Sequence, residues 1–132
     1  MDDKLSKYLE ELKNDTILDQ LNLEEMQLKL PAIKAKYLKY LFTHKEEMVN
    51  LEELEKKAII EISEKIEKEA EVKLSKITIE NTAKNHELIR KIIINIKKEH
   101  LYIELIEKAL NIITSMSYDI KNLLELKKLE IT

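Results

Sequence analysis

Glycine is absent from all 132 residues. A phosphate-cradling loop needs backbone N–H groups that approach the ligand with no Cβ in the way, so P-loops, dinucleotide-binding fingerprints and nucleophile elbows are not encoded. Cysteine is missing too. That removes disulfides, thiolate zinc sites and catalytic thiols, and it agrees with a reducing, cytoplasmic compartment. Tryptophan is absent, proline occurs once and aromatic residues make up 5% of the chain. With helix breakers so scarce and 37% of residues charged, the composition points to one helix-rich domain. Neither sign of charge dominates: 23 Lys and Arg face 26 Asp and Glu, a formal net charge of −3. Bulk electrostatics therefore draws the chain toward neither DNA nor a membrane, and any anion site has to be local. Long apolar runs are lacking as well. Leaving proline aside, none exceeds three residues, as at Ile92-Ile93-Ile94, and Met1-Asp2-Asp3 opens no basic-then-apolar segment. Neither a signal peptide nor a membrane span is expected.

What is present is helical periodicity. Leu5, Tyr8, Leu9 and Leu12 recur at helical spacing over residues 3–13, which predicts a short amphipathic helix. Asp15 or Thr16 then offers a cap for a further short helix or turns carrying Ile17, Leu18 and Leu21, so short helical pieces are expected over residues 3–30. Pro31 fits the first position of a helix, where its missing N–H costs nothing. From there a long helix is expected over 31–69, with an apolar seam through Ile33, Tyr37, Tyr40 or Leu41, His44, Met48, Leu51, Leu54, Ala58, Ile62 and Ile66. Residues 70–82 alternate apolar and polar side chains around Val72, Leu74, Ile77 and Ile79, which reads as an extended connector or short strand, with Asn81 and Thr82 as helix caps. A second long helix follows over 83–130, with a seam of Ile89, Ile92 or Ile93, Ile96, His100, Ile103, Ile106, Leu110 and Ile113 and a weaker stretch at Ser115-Met116-Ser117.

The predicted fold is thus all-α: an elongated hairpin of two long helices with short helices before it, forming a single domain. A long amphipathic helix gains most of its stability by burying its apolar stripe. Rods spanning about 50–65 Å, at ~1.5 Å per residue, leave more surface than a chain of this length can cover, so self-association is expected.

No reaction chemistry stands out. His44, His86 and His100 are the only imidazoles, and none sits in a Glu-x-x-His or His-Glu-x-x-His spacing. Di-iron and zinc-protease sites are therefore not encoded. Carboxylates interleave with lysines, as in Glu61, Lys65 and Glu69, the pattern of a solvated helix face. The reading is of a protein that is not an enzyme, with no catalytic residue, cofactor or metal. Lys34, Lys36 and Lys39 differ from the other lysines because Tyr37, Tyr40 and Phe42 interleave with them, and single-strand binders use cations for phosphate and rings for base stacking. Helical spacing places Tyr37 and Tyr40 or Leu41 on the seam, which favours a core role for these rings over a binding one. Lys127-Lys128, Lys56-Lys57, Arg90-Lys91 and Lys97-Lys98 are further basic pairs, each weak alone, which repetition around an oligomer would make avid.

Three segments carry a family resemblance. They are Leu9-Glu10-Glu11-Leu12-Lys13-Asn14-Asp15 with Ile17 and Asp19, Leu28-Lys29-Leu30-Pro31-Ala32-Ile33-Lys34-Ala35-Lys36-Tyr37-Leu38, and Tyr118-Asp119-Ile120-Lys121-Asn122 followed by Lys127-Lys128. In that order and spacing the chain resembles the UvsY-type recombination mediators of tailed phages. The resemblance implies a ring-like homo-oligomer of six or seven subunits in the cytoplasm of the infected host cell. Its partners would be single-stranded DNA, a RecA-like recombinase and a single-strand-binding protein, with no membrane involved and no catalysis. It also places the basic contribution to DNA binding on the first long helix, where Lys56 and Lys57 correspond best. Ala58-Ile59-Ile60-Glu61-Ile62-Ser63-Glu64 has no basic residue where the family tends to carry more, and the only arginine is Arg90.

The expected function is a recombination mediator that binds single-stranded DNA and promotes loading of the recombinase in place of the single-strand-binding protein. The candidate contacts are Lys34, Lys36, Lys39, Lys56 and Lys57, with Lys127 and Lys128 secondary. The alternative is a helical coiled-coil adaptor or structural self-assembly protein without nucleic acid, which composition alone favours.

Overall fold

A computed structural model describes residues 2–131. Four helices follow one another: α1 (Asp3–Asp15), α2 (Leu23–Glu69), α3 (Lys76–Lys84) and α4 (Glu87–Ile131). Among the described residues there is no strand, and the chain is all-α with two long helices, as its periodicity requires. Among the described residues no helix is long and apolar enough to cross a membrane.

The first helix has a sequence-encoded beginning and end. Asp2, in extended conformation, accepts a hydrogen bond from the Lys4 N–H at 2.8 Å, and Asp3 stands in the first turn and Lys13 in the last, matching the helix dipole. Thr16 closes it, its hydroxyl donating to the Leu12 carbonyl at 2.7 Å.

Of the two forms expected after α1, a short helix or turns, residues 16–22 take the second. Asp19 accepts from the Leu21 N–H and the Asn22 side-chain amide, both at 2.9 Å. The Asn22 carbonyl then takes the first bond of α2, from the Met26 N–H at 3.0 Å. An aspartate that folds back on the chain two and three residues ahead makes a turn in preference to a helix. As a result α2 begins at Leu23, and Pro31 lies inside it instead of opening it. Both Pro31 and Gln27, the residue whose carbonyl proline leaves unpaired, are exposed, so water can serve that carbonyl.

The extended connector predicted for 70–82 is also replaced, in its second half, by α3. Ser75 caps this helix by accepting from the Thr78 N–H at 3.2 Å, and Ile79 and Ala83 are buried, one turn apart on a single face. Burial of that face overrides the strand preference of the β-branched residues. Thr82, expected as a cap, instead donates to the Thr78 carbonyl at 2.8 Å within α3. The cap of α4 is His86, whose Nδ1 accepts from the Leu88 N–H at 3.1 Å. α4 starts at Glu87 and runs unbroken through Ser115-Met116-Ser117.

The chain divides into two compact units: a terminal unit, through Thr43 and from Leu101 onward, and a middle unit, His44–His100. In the terminal unit α2 and α4 run antiparallel around Leu23, Leu30, Tyr37, Leu41, Ile106, Ala109, Ile113, Met116 and Ile120, and Tyr8 and Leu12 of α1 pack on this core. In the middle unit Ala58 of α2 packs on Ile89 and Ile92 of α4, flanked by Ile59, Ile62, Ile93 and Ile96. The seam of α2 buries Leu23, Leu30, Tyr37 and His44 at seven-residue steps, the repeat of a left-handed coiled pair. Leu54 and His100, both placed on seams by the sequence, are exposed. Glu99 stands in the seam one residue before His100, keeping the seven-residue step from Ile92 to Ile106.

Candidate nucleic-acid interface

The seven candidate lysines have different surroundings. In the terminal unit Lys36 turns toward α1, its Nζ lying 2.5 Å from Asp15 Oδ2 and 2.8 Å from Glu11 Oε1 and 5.0 Å from the centre of the Tyr37 ring. Burial alone would lower the affinity of this ammonium for its proton, but the hydrogen bonds to Asp15 and Glu11 outweigh it and raise the pKa above the usual lysine value. Lys36 thus spends its charge on fastening α1 to α2.

Two tyrosines complete that fastening. The Tyr37 hydroxyl donates to the same Asp15 oxygen at 2.8 Å and the Tyr40 hydroxyl to Glu11 Oε1 at 2.9 Å. Burial first, and these carboxylates second, push both phenols above the usual tyrosine pKa. The rings form a cluster across three helices. Tyr8 lies 5.1 Å from Tyr40 and 6.2 Å, edge-on, from Tyr102, while Tyr37 meets Tyr40 edge-on at 5.7 Å. The Tyr102 hydroxyl donates to Asp2, and the Lys4 ammonium stands 5.6 Å over the Tyr102 ring. Of the three rings between Lys34 and Phe42, Tyr37 and Tyr40 therefore serve the core, and Phe42, 64% exposed, faces water.

Lys34 and Lys39 are exposed on α2 and make no ion pair among the described residues. Lys34 borders an open groove of about 370 Å³ between α2 and α4, with Gln27 and Pro31 beside it and Thr114, Ser117 and Tyr118 opposite. Leu30 and Ile113 form its floor. Tyr118 is 65% exposed. Sequence reasoning passed over it as a working residue, although the signal was there. Met116 and Ile120 continue the seam of α4, and a residue two places from each points away from it. At the end of α4, Lys127 donates to the Gln20 carbonyl and Lys128 is exposed.

In the middle unit Lys56 and Lys57 are exposed on α2 without an ion pair among the described residues. Consecutive helical residues diverge by about 100°, so the two ammonium groups serve different directions. Elsewhere the charges behave as a solvated surface. Lys29 pairs with Glu25 at 2.9 Å, Lys91 with Glu87 at 3.4 Å and Lys108 with Glu104 at 3.1 Å, each with glutamate four residues before lysine, the favourable order on a helix.

Crystal structures of the bacteriophage T4 recombination mediator protein UvsY have the same fold. One lattice form matches with a TM-score of 0.83 over 96% of this chain and 98% of that one at 20% identity. Two others match with TM-scores of 0.81 and 0.80 at 18% identity, covering 96% and 94% of this chain and 97% and 98% of the T4 protein. No curated protein matches the sequence. The family model for the recombination, repair and ssDNA binding protein UvsY matches residues 11–131, and the chain belongs to the UvsY family.

Proposed function

We propose that this protein is a nonenzymatic recombination mediator, a helical homo-oligomer of six or seven subunits that holds single-stranded DNA and favours a RecA-like recombinase over a single-strand-binding protein on that strand. The observation that carries the reading is family membership across residues 11–131. It is supported by exposed lysines on both units that make no ion pair among the described residues, in a chain whose net charge is −3. Lys34 and Lys39 in one unit and Lys56 and Lys57 in the other are the principal phosphate contacts, with Lys127 and Lys128 adding to them. Lys36 holds α1 in place. One subunit offers few cations, and repetition in a closed oligomer raises their joint affinity through effective concentration. No fuel is needed, because a mediator shifts the exchange by its differential affinity for two states of the strand.

Light scattering with and without a single-stranded oligonucleotide tests assembly and binding together. The expected result is an oligomer that gains the mass of the strand, with affinity falling steeply between about 50 and 200 mM salt. An oligomer that ignores the oligonucleotide at either salt would assign the chain to self-assembly alone.

A further inference from the structure

We infer that the α2–α4 groove of the terminal unit is a nucleobase site, in which one base of the strand stacks on the Tyr118 ring while Lys34 neutralises the adjoining phosphate. The inference rests on the single-strand-binding reading above and adds to it a contact that does not depend on charge.

Four of the five tyrosines are occupied in the cluster that joins α1, α2 and α4. Tyr118 is the exception. It lies off the seam, its ring is largely in water, and it forms one wall of an open groove whose opposite wall carries Lys34. A cation without an ion pair across a groove from an unused ring supplies both parts of single-strand recognition, attraction for phosphate and a flat apolar face for a base. Ser117 and Gln27 border the same groove and offer hydrogen bonds to a base edge. Lys121, exposed and three residues beyond Tyr118, adds a second cation on the same side of α4. Every base has a π-face, so stacking of this kind holds a strand regardless of sequence. That suits a protein whose substrate is any exposed single strand.

The test compares two fluorescent strands of equal length and charge, oligothymidylate and an abasic oligomer, bound to the full chain. The native protein is expected to bind the base-bearing strand at least about fivefold more tightly. Tyr118→Ala should remove that preference and leave the salt dependence unchanged, whereas Tyr118→Phe should retain it. Lys34→Gln should lower the slope of log affinity against log salt by about 0.7 for each subunit whose Lys34 meets the strand. Equal binding of the two strands by the native protein, or a full preference kept by Tyr118→Ala, overturns the inference while leaving single-strand binding intact. A changed oligomer mass in Tyr118→Ala also overturns it, since the ring would then serve assembly. Failure to bind either strand at any salt would sink the mediator reading itself.

Discussion

His44 Nδ1 lies 2.6 Å from Glu99 Oε2, with His44 only 2% exposed, inside a seam whose other buried members are apolar. An ionised carboxylate only accepts, so a Glu99 carboxylate pairs with the tautomer that donates from Nδ1. Both residues stand at seven-residue steps in their helices, and a polar pair at such a position penalises a slipped register, because any shift buries one partner without the other. His44→Leu should therefore cost about 3 kcal/mol by stranding the Glu99 carboxylate. The double variant His44→Leu/Glu99→Leu should recover most of that loss. Chemical denaturation of the three proteins checks the pair, and additive losses would disprove the coupling.

Lysines on one helix should separate by function. Lys36→Met breaks two ion pairs that hold α1 and should lower stability by about 1–2 kcal/mol. Lys56→Glu/Lys57→Glu touches exposed groups and should leave stability within about 0.5 kcal/mol. On single-stranded DNA the order should reverse. The charge reversals should weaken binding and flatten its salt dependence, and the Lys36 variant should retain both once folded. Thermal melts and binding titrations at several salt concentrations read the two effects.

Alkaline pH should loosen the terminal unit. Tyr37, Tyr40 and Lys36 all have folded pKa values above their ordinary ones of 10.0 and 10.5. The native state then binds more protons than the unfolded chain, and stability falls as pH rises. Their contribution is fully present below about pH 10 and is lost above it. Melting temperature followed from about pH 8 to pH 12 should drop past that point, and Tyr37→Phe/Tyr40→Phe should drop less steeply. Ultraviolet titration should show a late-ionising fraction of the tyrosines.

Pro31 interrupts the hydrogen-bond ladder of α2 at an exposed position. Pro31→Ala restores an N–H for the Gln27 carbonyl and should stabilise the protein by about 1–3 kcal/mol. A rise in denaturation midpoint with unchanged oligomer mass is the expected result. A fall would mean that the proline fits a local bend that alanine cannot adopt.

The helical class was legible because it is written locally. Tyr37, Leu41, His44 and Met48, like Ile106, Ile113 and Ile120, recur at the period of one helix face, and the lack of glycine leaves little to interrupt them. Boundaries were less legible where two local signals competed. Pro31 is at home both at a helix start and at a solvent-facing interior position. Only the Asp19 turn and the burial of Leu23 and Leu30 on α4 decide between the two. Val72 to Ile79 looked extended because β-branched residues alternate there, and the burial of Ile79 and Ala83 outweighed that preference.

For the candidate interface, the sequence located the lysines and could not say which were free. Lys34, Lys36 and Lys39 are equivalent by composition, yet Lys36 meets Asp15 and Glu11, more than twenty residues away, and Lys34 meets a groove completed by Tyr118. Periodicity is a property of neighbours along the chain, so the sequence by itself determined that the protein is helical and which stripes are buried. Partnership between polar groups depends on which distant element arrives beside them. For that reason tertiary structure alone decided that Lys36 and Tyr37 hold α1, that Glu99 answers His44, and that Tyr118 and Lys34 face one another across open solvent.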